Sequence, residues 1–378
     1  MDDLIVDRIN KILSGNDYPE KLENSPEDMK NKPIVLYGAG SGFDSLKLYV
    51  LDKFQIEPSV FLDKKFGELK QDGEVVYSDL EHFSADEEFL KNSLVIITIG
   101  DVVIRAEVEK QLQDKGFRNI ICIFDIYEYI RHNPSEATAI PFSFYKEERE
   151  NIINALNLFH DHKSQTIFEK VFLTHVLRKC LFIPAEQAEE HYFPEDLLEK
   201  SAYRRTVICG AYDGDTSMET VRRVGYVEAM ACFEPDPVNF DKMKENLFKI
   251  KDKIGHLLLL PLGCHEKNIQ LFFSTNHQAG SSIHPEGDSL IQCVALDDVV
   301  FDFAPTFITM DIEGAEIFAL RGMRKIIERY HPKLAISVYH NPEHLWKIPL
   351  LLQEIAPDYK FYLRNYTSFS FETILYAI

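Results

Sequence analysis

At 378 residues the chain is long enough for two domains, and 45% hydrophobic residues supply real cores. A net charge of −20, from 61 Asp and Glu against 41 Lys and Arg, argues against nucleic acid or an anionic membrane as the main partner. No run reaches the roughly 18 apolar residues of a membrane span, and six scattered cysteines without a C-x-x-C pair read as reduced thiols of a cytoplasmic protein, not a zinc site.

The opening M-D-D-L-I-V-D-R is acidic and has no long apolar run, so no signal peptide is expected. Residues 1 to 31 hold one helical pattern, Leu4, Ile5, Ile9, Ile12 and Leu13, then a polar tract with Pro19 and Pro26. From 32 to about 131 the pattern alternates. Strands are predicted at Pro33–Tyr37, Val60–Leu62, Leu94–Ile99 and Ile120–Phe124, with helices after Phe43 and over Val102–Lys115. Such alternation implies a parallel sheet and a small Rossmann-like unit. Its first turn, Gly38-Ala39-Gly40-Ser41-Gly42, with Asp63 downstream, can hold a nucleotide or nucleotide-sugar. Phe43 stands where the dinucleotide fingerprint wants its third glycine, which counts against a nicotinamide oxidoreductase. A unit used only for packing or recruitment fits equally well.

Residues 132 to 200 change character. His132-Asn133-Pro134 breaks the alternation, and apolar residues from Ile152 to Val176 follow at helical spacing, giving a helical connector. Its His160, His162 and His175 lack partners at ligand spacing and read as surface or packing residues. The aromatic segment His191-Tyr192-Phe193-Pro194 suits a substrate cleft or a hydrophobic staple.

The stretch that organises residues 201 to 378 is T-V-I-C-G-A-Y-D-G-D-T-S, from Thr206 to Ser217. A β-branched run enters a turn of Gly210, Ala211, Tyr212, Asp213 and Gly214, and Thr216 and Ser217 open a helix. The next strand, Val227–Phe233, ends in Glu234 and Pro235, where a carboxylate can accept from a ribose diol. Asp213 and Asp215 would repel a pyrophosphate. They suit a cationic nucleoside ligand, which describes S-adenosylmethionine. Asp236 is a plausible N-cap before Pro237. Later strands are read at Leu257–Leu260, Leu271–Phe273, Gln292–Val294, Thr306–Met310 and Lys333–Tyr339, with a polar loop at Gly280-Ser281-Ser282 and an antiparallel hairpin from Tyr359–Leu363 and Thr373–Ala377.

The motifs F-E-P-D-P at 233–237, M-D-I-E-G-A-E at 310–316, S-V-Y-H-N-P-E-H-L-W-K-I-P at 337–349 and E-T-I-L-Y-A at 372–377 resemble the FkbM-type family of S-adenosylmethionine-dependent methyltransferases. The resemblance covers about residues 190 to 378. It implies an α/β class I methyltransferase fold and O-methylation, often of sugars or small metabolites. The N-terminal unit resembles the nucleotide-binding domains of sugar acetyltransferases and nucleotide-sugar enzymes. In the family an acidic residue usually stands two places before the first glycine, where this chain has Ile208. The rival reading is therefore a non-catalytic binding or scaffold protein.

Asp311 and His340 lie at carboxyl ends of predicted strands, where ligands of open α/β sheets bind. Asp311 and Glu313, two apart, are read as pointing the same way in extended chain, with Glu316 at a helix start. Asp311, Glu313 and His340 are the catalytic candidates. Gly210, Ala211, Tyr212, Asp213, Gly214, Thr216, Ser217, Glu234, Pro235 and Asp311 are the cofactor candidates, with Gly263 and Cys264 edging the adenine. Only two carboxylates are visible as metal ligands, so no metal is expected. Trp346 is read as packing. The domains expected are 1–131, 132–200 and 201–378, and the acceptor is a small molecule or saccharide.

Overall fold

The computed structural model describes residues 3–15, 26–130, 140–274, 282–283 and 289–378. The break at His132-Asn133-Pro134, the proline at 19 and loop residues 280–281 fall outside them. The chain forms two compact units: residues 11–147 with 173–182, and residues 1–10 with 148–172 and 183–378.

In the first unit, strands β1 (Ile34–Tyr37), β2 (Val60–Leu62), β3 (Lys70–Asp72), β4 (Val75–Ser78), β5 (Leu94–Ile97) and β6 (Asn119–Cys122) pair in the order β3-β4-β2-β1-β5-β6. All pairs are parallel except β3 with β4. The central strands β1 and β5 are buried along their whole length, as four-residue apolar runs covered on both faces must be. Asp101 caps the helix Val102–Lys115 through the N–H groups of Val103 and Ile104, and Gly116 closes it in the left-handed region. The glycine loop after β1 is pinned from two sides. Asp63 accepts the Ala39 N–H at 2.9 Å, and a Cβ on Gly42 would stand 2.1 Å from the Thr98 carbonyl oxygen. Gly42, the third glycine of the loop, is required by packing against the residue that follows β5.

In the other unit, β7 (Arg205–Cys209), β8 (Val227–Phe233), β9 (Ile254–Leu260), β14 (Phe307–Met310), β15 (Lys333–Ser337), β16 (Phe361–Asn365) and β17 (Thr373–Ala377) form a seven-stranded sheet. Their order is β16-β17-β15-β14-β7-β8-β9, with all neighbours parallel except that β17 runs antiparallel to both β15 and β16. A smaller sheet of β10 (Gly263–Cys264), β11 (Ile269–Ser274), β12 (Ser282–Ile283) and β13 (Ser289–Val294) is inserted after β9. The helices Asp215–Val224 and Pro237–Phe248 cover one face. Ile208, Val221, Met230, Met243 and Leu247 make the core between them. The chain runs β7, β8, β9 in one direction and then returns to place β14 on the other side of β7. The sheet therefore has its topological switch point between β7 and β14, the place where such sheets leave a crevice.

Candidate functional site

The two strands at the switch point end side by side. Asp311 N–H, just past β14, donates to the Cys209 carbonyl at 3.0 Å. Gly210 takes φ +81°, and a Cβ there would lie 1.9 Å from the Asp311 carbonyl oxygen. Close strand packing, rather than ligand approach alone, excludes a side chain at 210. The turn continues with Tyr212 at φ +47° and Gly214 at φ +88°, and Gly214 N–H closes it on the Ala211 carbonyl at 2.8 Å. Gly210, Tyr212 and Asp213 are partly accessible here; Ala211, Gly214 and Ser217 are buried, and Ser217 Oγ meets Cys232 Sγ at 3.3 Å. Asp213 Oδ1 accepts the Asp215 N–H at 3.3 Å, and Asp215 accepts from the Thr216 N–H. Partial burial, with Asp213 and Asp311 nearby, pushes the Asp215 carboxyl up.

Glu234, at the end of β8, accepts the Tyr212 N–H at 2.8 Å on Oε2 and the Asp236 N–H at 2.9 Å on Oε1. Burial dominates those bonds and raises its carboxyl to about 7. Asp236 is the N-cap that the sequence suggests, accepting from Val238 and Asn239 N–H. Pro235 is half-buried between the two carboxylates. Gly263 and Cys264 lie in β10, where a Cβ on Gly263 would meet Cys293 Sγ at 2.7 Å. The Cys264 thiol is buried and held well above its usual range by its hydrogen bond with Cys209 and by burial.

The residues after β14 do not continue as extended chain. Glu313 has φ +54° and Gly314 +99°, so Asp311 and Glu313 sit on a turn and not on one face of a strand. That turn is organised by Glu316, the first residue of the helix Glu316–Arg321, whose side chain is fully buried. Its Oε1 accepts from the N–H groups of Ile312 at 3.0 Å and Gly314 at 3.3 Å and from His340 Nδ1 at 2.9 Å. His344 Nδ1 lies 3.2 Å from its Oε2. Burial opposes ionisation of Glu316, but the His340 and His344 rings outweigh it and hold its carboxyl well below the usual range.

His340 follows β15 and presents its other nitrogen to the same crevice. Nε2 is 3.2 Å from Asp311 Oδ1 and 3.6 Å from Glu313 Oε2. Burial lowers its proton affinity; Glu316, Asp311 and Glu313 more than reverse that and raise it to about 9. His340 is thus an imidazolium near neutral pH and not a ready base. Asp311 is also held by two phenols. The Tyr192 hydroxyl donates to Oδ2 at 2.9 Å, and the Tyr339 hydroxyl lies 3.2 Å from each oxygen. Glu372, at φ +55°, flanks the cluster with His191 at 3.3 Å; burial first, then Asp311, raises it to about 7.

The structure therefore gathers Asp311, Glu313 and His340, and adds Glu316, Tyr192, Tyr339, His344 and Glu372. The aromatic segment ahead of β7 signalled Tyr192. Tyr339 and Glu372 lay inside the motifs at 337–349 and 372–377 but were not singled out, and Glu316 read mainly as a helix-start charge. Asp311, Glu316 and His340 offer ligand atoms all within 4.8 Å of one another, a grouping that linear spacing did not reveal. Ile208 is buried in the core at 1% exposure and contributes no polar group. Trp346 is fully buried, its indole N–H donating to Glu148 Oε2 at 2.9 Å. His160 binds the Phe361 carbonyl through its backbone, and His175 is buried.

Residues 209–369 match the model of the methyltransferase FkbM domain. The fold matches methyltransferase FkbM from Methylobacillus flagellatus KT with a TM-score of 0.73, at 20% identity over 100% of this chain and 98% of that one. At that identity the likeness establishes the fold, an α/β arrangement with Rossmann-like sheets. Two structures overlap 47% of this chain at a TM-score of 0.29, too low to carry argument. They are Aeropyrum pernix fibrillarin with natively bound S-adenosyl-L-methionine, at 11% identity over 66% of its chain, and precorrin-6y C5,15-methyltransferase from Geobacter metallireducens GS-15, at 14% over 84%. No curated protein matches the chain significantly. The domain match and the full-length neighbour together support a methyltransferase.

Proposed function

We propose that the protein is an S-adenosylmethionine-dependent O-methyltransferase acting on a hydroxyl of a sugar or nucleotide-linked sugar, in the cytoplasm. The observation that carries this reading is the Asp311 carboxylate. Two tyrosine hydroxyls and His340 hold it at the switch point, beside an acidic glycine turn. The donor set fits the cofactor. Glu234 uses one acceptor position on each oxygen for backbone and keeps lone pairs for a ribose diol. Asp213, Asp215 and Asp311 concentrate negative charge where an ammonium and a sulfonium are favoured and a pyrophosphate is not. Gly210, Ala211, Tyr212, Gly214, Thr216 and Ser217 would form the turn around it, with Pro235, Gly263 and Cys264 toward the adenine. When bound, the cofactor supplies an already activated methyl group.

The chain's own work is alignment, water exclusion and removal of one proton. Asp311 accepts the proton of the attacking hydroxyl. Tyr192 and Tyr339 aim its oxygens, and the burial of Tyr192 keeps competing water out. His340, clamped on Nδ1 by Glu316, balances the carboxylates of Asp311 and Glu313 and holds the turn that carries both. The N-terminal glycine loop, Gly38–Gly42, is proposed to take a nucleotide or nucleotide-sugar. The functional division follows the residue ranges 1–131, 132–200 and 201–378.

The second reading, a binding protein without turnover, is favoured by one observation: Ile208 is apolar and buried where the family has an acid. Calorimetry with S-adenosylhomocysteine, NAD and UDP-sugars separates the two. Binding of S-adenosylhomocysteine supports the enzyme. Binding of a nucleotide-sugar alone sinks it.

A further inference from the structure

We propose that Asp311, Glu313 and His340 form a divalent-cation site, with Glu316 orienting the histidine from behind. The inference deepens the proposed function, since the ion's catalytic use rests on that reading; the binding itself does not.

The geometry begins with the ring. Glu316 Oε1 receives Nδ1–H at 2.9 Å, which fixes Nε2 as the nitrogen facing the crevice. The His340 side chain is 9% exposed, and its Nε2 is buried without a hydrogen-bond partner. That atom is aimed at Asp311 Oδ1, 3.2 Å away, and Glu313 Oε2, 3.6 Å away. Ligands held about 2.0–2.2 Å from one ion stand roughly 3.0–3.6 Å from one another, so each of these two contacts to Nε2 has coordination spacing.

The surroundings are those of a metal ligand set. A carboxylate bound to the far nitrogen of a ligating histidine fixes its orientation and raises its basicity, and Glu316 occupies that position. Asp311 is itself held by the Tyr192 and Tyr339 hydroxyls. Charge points the same way. Three carboxylates, Asp311, Glu313 and Glu316, lie around the His340 ring, and His344 meets Glu316 at its other oxygen. A dication would replace the proton on Nε2 and face the carboxylates of Asp311 and Glu313. Two carboxylates and one imidazole, with no thiolate, suit Mn²⁺, Mg²⁺ or Zn²⁺ over softer ions. An ion there with open positions would bind an acceptor hydroxyl and acidify it beside Asp311.

The test is Mn²⁺ titration of the full chain, free ion being read by electron paramagnetic resonance. One saturable site is expected. Glu313→Gln, on a turn with a 34% exposed side chain, and Asp311→Asn should each weaken it at least tenfold. Glu316→Gln should weaken it about 10–100-fold. Glu219→Gln, on the surface of the helix Asp215–Val224, should leave it unchanged. Circular dichroism melts confirm that each variant is folded. Absence of saturable binding, or binding unchanged in both Asp311→Asn and Glu313→Gln, overturns the site. S-adenosylhomocysteine affinity is measured on the same samples. Its absence with Mn²⁺ retained sinks the methyltransferase reading and leaves the ion site, and the reverse result sinks the ion site alone.

Discussion

The proposed ribose contact of Glu234 hinges on one ionisation. Its carboxyl titrates near 7 because burial outweighs two backbone hydrogen bonds. Below that pH it carries a proton and loses acceptor capacity toward a ribose diol; above it the full carboxylate is present. S-adenosylhomocysteine affinity should therefore rise several-fold from pH 6 to pH 8, and Glu234→Gln should flatten the profile. Glu372 also titrates near 7, so a Glu372→Gln control, retaining the slope, assigns it to Glu234. At either pH, Glu234→Ala should weaken binding about 10–100-fold, the worth of hydrogen bonds to a charged group. Asp311→Ala should lower kcat about 10²–10⁴-fold in the presence of the true acceptor, the usual scale for a positioned base. Activity retained there would make Asp311 structural. At this scale the sequence was legible where a polar residue ends an apolar run, as at Glu234, Asp311 and His340. It was opaque at Glu316, whose role depends on two histidines 24 and 28 positions away meeting it in three dimensions.

The strand–turn–helix element from Arg205 to Val224 shows how packing constrains a glycine turn. Gly210→Ala would drive a methyl group into the Asp311 carbonyl while holding an unfavourable φ of +81°. It should cost about 1–3 kcal/mol of stability by denaturant melt and reduce turnover further by shifting Asp311. Gly40→Ala is the control. Its Cβ meets nothing within 4 Å, and its φ is −105°, so a change within about 0.5 kcal/mol is expected. Buried strands were readable as short apolar runs, and β8 and β17 have the predicted bounds. The edge strand β3, Lys-Gln-Asp, was missed because all three side chains are exposed and nothing alternates. Ile123 and Phe124, read as strand, open the helix Ile123–Ile130, where Asp125 accepts the Cys122 N–H at 2.8 Å. A five-residue apolar run cannot reveal that change by periodicity. The turn at Glu313 was hidden for a related reason: a positive φ outside glycine leaves no compositional mark.

Across the whole molecule, both compact units carry a mostly parallel sheet with a glycine turn at its switch point, yet the turns are filled differently. In the first, Thr98 and Asp63 occupy the backbone around Gly38 and Ala39. In the second, acidic side chains line it. Thermal shift of the intact protein should therefore respond to S-adenosylhomocysteine and to a UDP-sugar independently, with additive increments when both are present. Competition between them would place both ligands at one turn and end the two-site reading. Among the described residues no helix is long and apolar enough to cross a membrane. The reach of the Tyr192 side chain has a practical side. The family match starts at Cys209, seventeen positions later, yet this phenol is one of the two that steady Asp311. An excised sheet beginning at the matched boundary would lose most of β7 and half of that grip. Anyone trimming the protein to a minimal catalyst should cut upstream of His191.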